Sequence, residues 1–393
     1  MLFLPGTGDV FGTFRFWSAA RADPSVPNLA YSSQIYHVGA KHKARMHVLS
    51  SVDLPEPEGI IYSHDGLEAS FAMMPKPTGA GLRYHLSAIW FAFRVAFQAI
   101  SRRADCVVLQ STMTHFWPLM LLNLVRVPVV FSLHNTLWPA NFEVSRKDRI
   151  LNALNARFFR KCARILCVSR EIEDQVQAVM GSAGDNTRVH IPQYDPDWQH
   201  VWQDRRTDTP LRRLLYIGRI ETNKGVFDLL EAFERIAADA PDLSLTFLGK
   251  GTADADLHTQ IAKSAHAAQI RFPGAVPGAE VFAALQDHDL LVCPTTSRFA
   301  EGLAKTPIEA ALCGVPSLLS NTVPVADMLG GAVAVVPADD PTALARKIQQ
   351  LRSEPGTYNA MAAATRDVRD PFFDQTKGFA HLMEDALKPF LEA

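Results

Sequence analysis

The clearest pattern lies in the second half of the chain, where short apolar runs alternate with segments of helical period. LLYIG (214–218), LSLTFLG (243–249), IRFPG (270–274), DLLVCP (289–294), PSLLS (316–320) and VAVVP (333–337) read as strands. Nearly continuous apolar runs of this length fit strands buried on both faces of a sheet. Between them, GVFDLLEAFERIAAD (225–239), an Ala-rich stretch through His266, AEVFAALQ (279–286), TPIEAALCG (306–314) and PTALARKIQQLRSE (341–354) read as helices. Strands that alternate with crossover helices predict a parallel sheet covered on both sides. The first half repeats this order with more irregular spacing. MLFLPG, MHVLSSV (46–52), DCVVLQ (105–110), PVVFSLHN (128–135) and ILCVS (165–169) are the predicted strands. Helices are predicted at SSQIYHVGAKHKA (32–44), 82–103, HFWPLMLLNLVR (115–126), RILNALNARFFRKCA (149–163) and from Arg170. The helix after the first strand is expected to be delayed by WSAARADPSVPN (17–28).

The predicted fold class is therefore α/β, with two Rossmann-like domains, each a doubly wound parallel sheet, facing each other across a cleft. The expected division is an N-terminal domain over 1–195, a linker over 196–210, a C-terminal domain over 211–370, and residues 371–393 as one amphipathic helix packing back toward the N-terminal domain. The linker is placed in PQYDPDWQHVWQDRRTDTP (192–210), which is polar, contains proline and lacks an apolar period.

Composition supports this division. A length of 393 residues suits two domains, and 48% hydrophobic with 20% charged residues is ordinary for a globular enzyme. The formal net charge of −2 conceals an asymmetry: residues 1–190 sum to +6 and the remainder to −8. A basic first half is expected to meet something anionic. The five cysteines form no CxxC pair, which points to reduced core residues in a reducing compartment rather than a zinc site. The apolar start, MLFL, breaks after four residues, and no uncharged stretch is long enough to span a bilayer, so the expected location is cytoplasmic.

Two stretches carry candidate chemistry. In FAEGLAKTPIEAALCGVP (299–316), Thr306, Pro307 and Glu309 have the spacing of a capping box, with Thr306 as N-cap and Glu309 at the third helical position. The helix follows DLLVCP, so its N-terminus is expected at the carboxyl edge of the sheet, where free N–H groups favour an anion. Lys305 adds a charge there, Gly302 permits close approach, and Glu301 lies on the loop, where capping cannot use it. In YIGRIETNKGV (216–226), a strand again ends in a loop that offers Arg219 and Lys224, two cations suited to a diphosphate. The bland alternatives are a helix cap in the first stretch and a solvated turn in the second.

Together these stretches resemble the retaining GT-B-fold glycosyltransferases of group 1, which use nucleotide sugars. YIGRIETNKG matches that family's phosphate loop, and Glu301 with Glu309, seven residues between them, matches its pair of glutamates. The resemblance implies a GT-B architecture and a site made of Gly218, Arg219, Lys224, Gly274, Val276, Glu301, Gly302, Leu303, Ala304, Lys305, Thr306 and Glu309. Within it, Glu309 would hold ribose hydroxyls, as well as capping, and Glu301 a sugar hydroxyl. Arg219 and Lys224 would neutralise the leaving diphosphate, and the N–H groups around Lys305 and Thr306 would complete the cradle. FPGAV (272–276) would face the base, although no side chain there separates uracil from guanine. His134, in SLHNT (132–136), would lie over the donor sugar, or else be a satisfied structural residue at a strand end. Ala304, Lys305 and Pro307 depart from the family pattern, as does PGTGDVFG, with Gly6, Gly8 and Gly12, in the first loop.

The implied donor is a UDP- or GDP-sugar, with no cofactor and no metal. Of the three Asp-x-Asp triplets, 195–197, 254–256 and 287–289, none is placed as a metal site would require. The implied acceptor is a glycan or a polyprenyl-diphosphate-linked glycan in bacterial surface polysaccharide or exopolysaccharide synthesis, and no nucleic acid is implied. Arg157, Arg160, Lys161 and Arg164 fall on one helical stripe, which reads either as a solvated face or as a contact with anionic membrane. The aromatic helix at 82–103 reads as core or as part of the same surface. Peripheral contact with the inner face of the cytoplasmic membrane is the membrane alternative. The competing functions are a nucleotide-sugar epimerase or hydrolase on the same frame, a nicotinamide dehydrogenase suggested by Gly6, Gly8 and Gly12, and a noncatalytic sugar-nucleotide-binding protein.

Overall fold

The computed structural model describes residues 1–6, 8–21, 30–55, 58–110 and 113–392. The chain forms two compact units. The first comprises Met1–Leu137, Glu143–Gln193 and Asp374–Ala393, and the second Trp138–Phe142 with Tyr194–Phe373.

The first unit opens with β1 (Leu2–Leu4), α1 (Val10–Ser18), α2 (Tyr31–Lys41), β2 (Arg45–Ser50), β3 (Ile61–His64), β4 (Leu67–Met73) and α3 (Gly81–Ser101). It continues with β5 (Val107–Gln110), α4 (Met120–Leu124), β6 (Val129–Leu133), α5 (Arg146–Lys161), β7 (Arg164–Cys167), α6 (Arg170–Met180) and β8 (Thr187–Val189). Its eight strands run in the order β3-β4-β2-β1-β5-β6-β7-β8 and are parallel except for the β3–β4 hairpin at one edge.

Several elements differ from the expected ones. The first helix is prompt, not delayed: Asp9 accepts from the Gly12 N–H at 2.7 Å and starts α1 just past the first strand, while Phe11 and Phe14 face inward. Asp9 before an aromatic period was the available cue, and Gly12 obscured it. The expected delaying segment falls partly at 22–29, outside the described residues. The β3–β4 hairpin escaped sequence reading although Asp65-Gly66, both with positive φ (48° and 91°), is a strong two-residue turn.

The second unit contains β9 (Arg213–Ile217), α7 (Val226–Ala237), β10 (Ser244–Leu248), α8 (Asp254–Lys263), β11 (Ile270–Gly274), α9 (Gly278–Asp287) and β12 (Leu290–Cys293). Then follow α10 (Thr306–Leu312), β13 (Ser317–Ser320), the single turn α11 (Ala326–Leu329), β14 (Val333–Val336), α12 (Pro341–Ser353) and α13 (Pro355–Asp367), the last unpredicted. The sheet is parallel, ordered β11-β10-β9-β12-β13-β14. Apolar residues of α7 and α12 cover one face, as the 3.6-residue period of both helices requires. After β11 the chain crosses back past β9 to lay down β12. The loops that leave β9 and β12 are therefore neighbours at the carboxyl edge, where open α/β sheets bind ligands.

Residues 196–210 are not a free linker. Trp202 donates from Nε1 to Thr365 Oγ1 at 3.0 Å, Gln203 donates to the Cys313 carbonyl at 3.3 Å, and Thr207 to Asn359 Oδ1 at 2.8 Å. A polar segment can satisfy its hydrogen bonds against a folded body as well as against water. The C-terminal segment is likewise not one helix. Two 3-10 turns, Asp370–Phe372 and Gln375–Lys377, precede α14 (Phe379–Leu391), whose Phe379, Met383 and Leu387 join the first unit's core and which packs on α2.

Candidate functional site

The site in the second unit is assembled from the two loops at that switch point. After β9 the chain runs through Gly218 and Arg219 into a 3-10 turn, Thr222–Lys224, and then Gly225. Gly225 has φ +74°, and a β-carbon there would lie 1.9 Å from the Pro294 carbonyl oxygen of the loop that follows β12. The residue is required on two counts: a left-handed backbone and contact between the two loops. This contact brings Lys224 to Glu301. Their side chains form an ion pair, both largely buried, and Thr295 donates its hydroxyl to the same carboxylate at 3.4 Å.

Phe299 joins the two cations. Lys224 Nζ lies 3.9 Å from the centre of its ring and the Arg219 guanidinium 5.3 Å. Sequence reading missed this residue, although it stands two positions before Glu301. An aromatic face accepts cations without neutralising them, so the ring positions both charges, while carboxylates balance them: Glu301 on Lys224 and Glu221 on Arg219. Arg219 is also held by Glu221 at 2.8 Å, and the Tyr216 hydroxyl donates to its carbonyl at 2.7 Å. Burial pushes the Cys293 thiol up to about 11, with the Glu301 charge adding to the shift, so this sulfur stays protonated at neutral pH.

The second glutamate behaves differently from expectation. The capping box does not form. Lys305, not Thr306, occupies the cap position, no side chain caps the helix, and Thr306 is the first helical residue. The first intrahelical bond runs from the Ile308 N–H to the Lys305 carbonyl at 2.9 Å, so the N–H of Thr306 lies ahead of it. Released from capping, Glu309 is buried at 3% exposure. Burial pushes its carboxyl up to about 7, while the Lys305 charge and the Tyr194 hydroxyl pull the other way. Burial lowers the Lys305 ammonium, partly offset by Glu309, so Lys305 is not a solvated surface charge.

The remaining predicted residues take the following places. Gly302, Leu303 and Ala304 line the loop between Glu301 and α10, and Ala304 is buried. Gly274 ends β11 with φ +92°, its carbonyl accepting from the Gly249 N–H at 3.0 Å, and Val276 is half-buried against a cluster that includes Leu215, Leu248 and Leu285. His134 belongs to the first unit, just past β6. Ser132 Oγ lies 2.9 Å from its Nε2, and Tyr31 packs on the ring at 4.4 Å between centroids. Asp287 and Asp289 hold the Arg213 guanidinium at 2.8 and 3.0 Å at the opposite, amino edge of the sheet. Asp254 accepts from the Gly251 N–H at 2.8 Å.

The arrangement presents two cations on an aromatic platform, a buried carboxylate beside them, and a second, protonatable carboxylate at the adjoining helix. A diphosphate with hydroxyl-bearing groups on either flank matches that order of charges.

Residues 203–368 match the family "Glycosyl transferases group 1", and residues 40–196 match "Glycosyltransferase Family 4". A glycogen synthase of Mycobacterium tuberculosis is 26% identical over 252 residues, 63% of this chain and 60% of the relative. The match thus spans less than two thirds of that protein's length. A 2-deoxystreptamine glucosyltransferase of Streptomyces kanamyceticus is 24% identical over 259 residues, 62% of this chain and 66% of the relative. Among solved structures, Anabaena HepE in complex with UDP shares the fold over 100% of this chain and 99% of its own, with a TM-score of 0.65 and 14% identity.

Proposed function

We propose, for a chain that belongs to the group 1 glycosyltransferases of GT-B fold, that it transfers a sugar from a UDP- or GDP-sugar to a glycan or polyprenyl-diphosphate-linked glycan, with retention of configuration and without a metal. The observation that carries the reading is the Lys224–Glu301 pair seated against Phe299 beside Arg219. Negative charge develops on the departing diphosphate as the glycosidic bond breaks. Lys224 and Arg219, held before the substrate arrives, stabilise that charge without reorganising. Fixed cations there take over the neutralising role a divalent ion fills elsewhere. Glu301 receives a sugar hydroxyl and Glu309 the ribose hydroxyls, which fixes the donor against the acceptor hydroxyl. His134 is the first unit's candidate for contact with the donor sugar. Same-face attack assisted by the leaving phosphate accounts for retention with no protein nucleophile. The glycogen synthase among the relatives supports a role in polysaccharide synthesis, and the cytoplasmic face of the membrane is the location proposed for it.

A thermal-shift panel of UDP, GDP, their sugar conjugates and NAD tests the reading. Stabilisation by a nucleoside diphosphate that disappears in Arg219→Ala is the expected result. Stabilisation by NAD alone would transfer the case to a dehydrogenase.

Phe299→Ala gives a graded check. Loss of two cation–π contacts of about 0.5–1 kcal/mol each weakens nucleoside diphosphate binding by roughly five- to thirtyfold. Titration calorimetry measures this, and unchanged affinity would separate the ring from the site.

A further inference from the structure

The first unit carries a surface that donor chemistry does not use. Helix α3 is apolar on two sides. Phe91, Ala92, Val95 and Ala99 pack inward, while Leu86, Trp90 and Phe97 form a stripe on the opposite side, Trp90 exposed at 66% and Phe97 at 68%. The helix thus buries one face in the core and leaves another apolar face exposed. The stripe continues onto neighbouring helices. Phe93 meets Trp117 at 6.0 Å between ring centres, and both Phe116 and Trp117 donate backbone N–H groups to Asn155 Oδ1 of α5 at 2.9 and 3.1 Å. Helix α4 lies against α3 and α5 and exposes Leu124 at 79%.

The outward face of α5 alternates apolar and cationic groups: Arg146, Ile150, Leu154, Arg157 and Lys161 are all exposed and fall within one side of the helix. This replaces the stripe expected from sequence. Arg164 lies in β7 and donates to the Asp185 carbonyl at 3.0 Å, and Arg160 is turned to the Met180 carbonyl at 2.7 Å. α3 and α4 contain no acidic residue, and the one in α5, Asp148, caps with Ser145 at the helix start.

We infer that the joined outer faces of α3, α4 and α5 form a docking surface for an anionic lipid bilayer. An indole, a phenyl ring and leucines interleaved with cations match the boundary between headgroups and acyl chains, and cations alone would suit only the headgroups. Among the described residues no helix is long and apolar enough to cross a membrane, so the chain lies on the bilayer through this face. A second copy of the chain is the poorer occupant, because the cations of α5 would confront one another across a two-fold contact with no acids on these faces to match them. The inference extends the lipid-linked acceptor reading above but stands on this surface alone.

Flotation of the full chain with vesicles tests it. Vesicles of phosphatidylcholine with phosphatidylglycerol are expected to bind it, and pure phosphatidylcholine to bind it far less. Each of Arg146→Gln, Arg157→Gln and Lys161→Gln lowers partitioning about fivefold, and Trp90→Ser about tenfold or more. Nucleoside diphosphate binding stays unchanged in all four variants, which also shows that they fold. Loss of that binding in the unmodified protein would count against the transferase reading and leave the surface standing. Equal binding to both vesicle types, no binding to either, or a concentration-dependent dimer abolished by Trp90→Ser would overturn the inference.

Discussion

In Lys224→Ala, sugar transfer is expected to fall by a factor on the order of a thousand, and the second unit to lose about 3–5 kcal/mol of stability. The two losses have different origins. Activity falls because a preorganised charge no longer meets the leaving diphosphate. Stability falls because Glu301, at 8% exposure, is left as a buried carboxylate with no cation beside it. The double variant Lys224→Met with Glu301→Gln separates them. It removes both charges at nearly constant volume, so stability recovers most of the way while transfer stays lost. Denaturant unfolding monitored beside initial rates of transfer makes the comparison. Recovery of transfer in the double variant would show that the pair is structural only, and the functional reading of the loop after β9 would fail with it.

Glu309→Gln is expected to strengthen the fold at alkaline pH while destroying donor binding. The carboxyl is raised to about 7 by burial, well above its ordinary value of 4.5. The folded state therefore retains a proton that the unfolded chain releases. The associated stability is full below about pH 4.5 and is lost as pH rises through 7. Each tenfold difference in proton affinity between the folded and unfolded chain is worth about 1.4 kcal/mol, so the loss reaches about 3 kcal/mol by pH 8. Glutamine, which never ionises, removes the slope, so unfolding midpoints of the variant and the parent diverge between pH 5 and 8. Binding runs in the opposite direction. An ionised carboxylate accepts both ribose hydroxyls, so affinity for the donor rises with pH up to about 7 and levels off above it. UDP-glucose and GDP-mannose are suitable probes because their diphosphates carry no group that titrates in that range. A flat binding profile in the parent would remove Glu309 from the ribose contact. On this reading the ionised carboxylate is destabilising in the empty site, and a donor that accepts its charge would relieve it.

Much of the second unit was legible because its strands are short, apolar and regularly spaced, and its helices have strong 3.6-residue periods. Arg219, Lys224 and Glu301 could also be assigned to loops, and Glu309 to the first turn of a helix, at one edge of the sheet, since chain order and parallel connection leave no other edge available. Less was legible in the first unit. Gly12 weakens the period of α1, and β3 with β4 is an edge hairpin whose exposed face breaks the apolar run. The capping box around Thr306 failed for a local reason: the helix begins one residue earlier, and Glu309 turns inward to Tyr194 and Lys305 instead of back to the cap.

Local pattern was enough to specify the alternation of strand and helix, the opposite charge of the two halves, and which charged residues stand at loop positions. These follow from period and composition, which need no partner. Packing had to settle that Lys224 pairs with Glu301, that Phe299 carries two cations, and that α3 shows apolar groups on both sides. Each joins residues distant in sequence, or depends on what a neighbouring element leaves uncovered. Contact and burial are properties of the packed chain, and no local pattern specifies them.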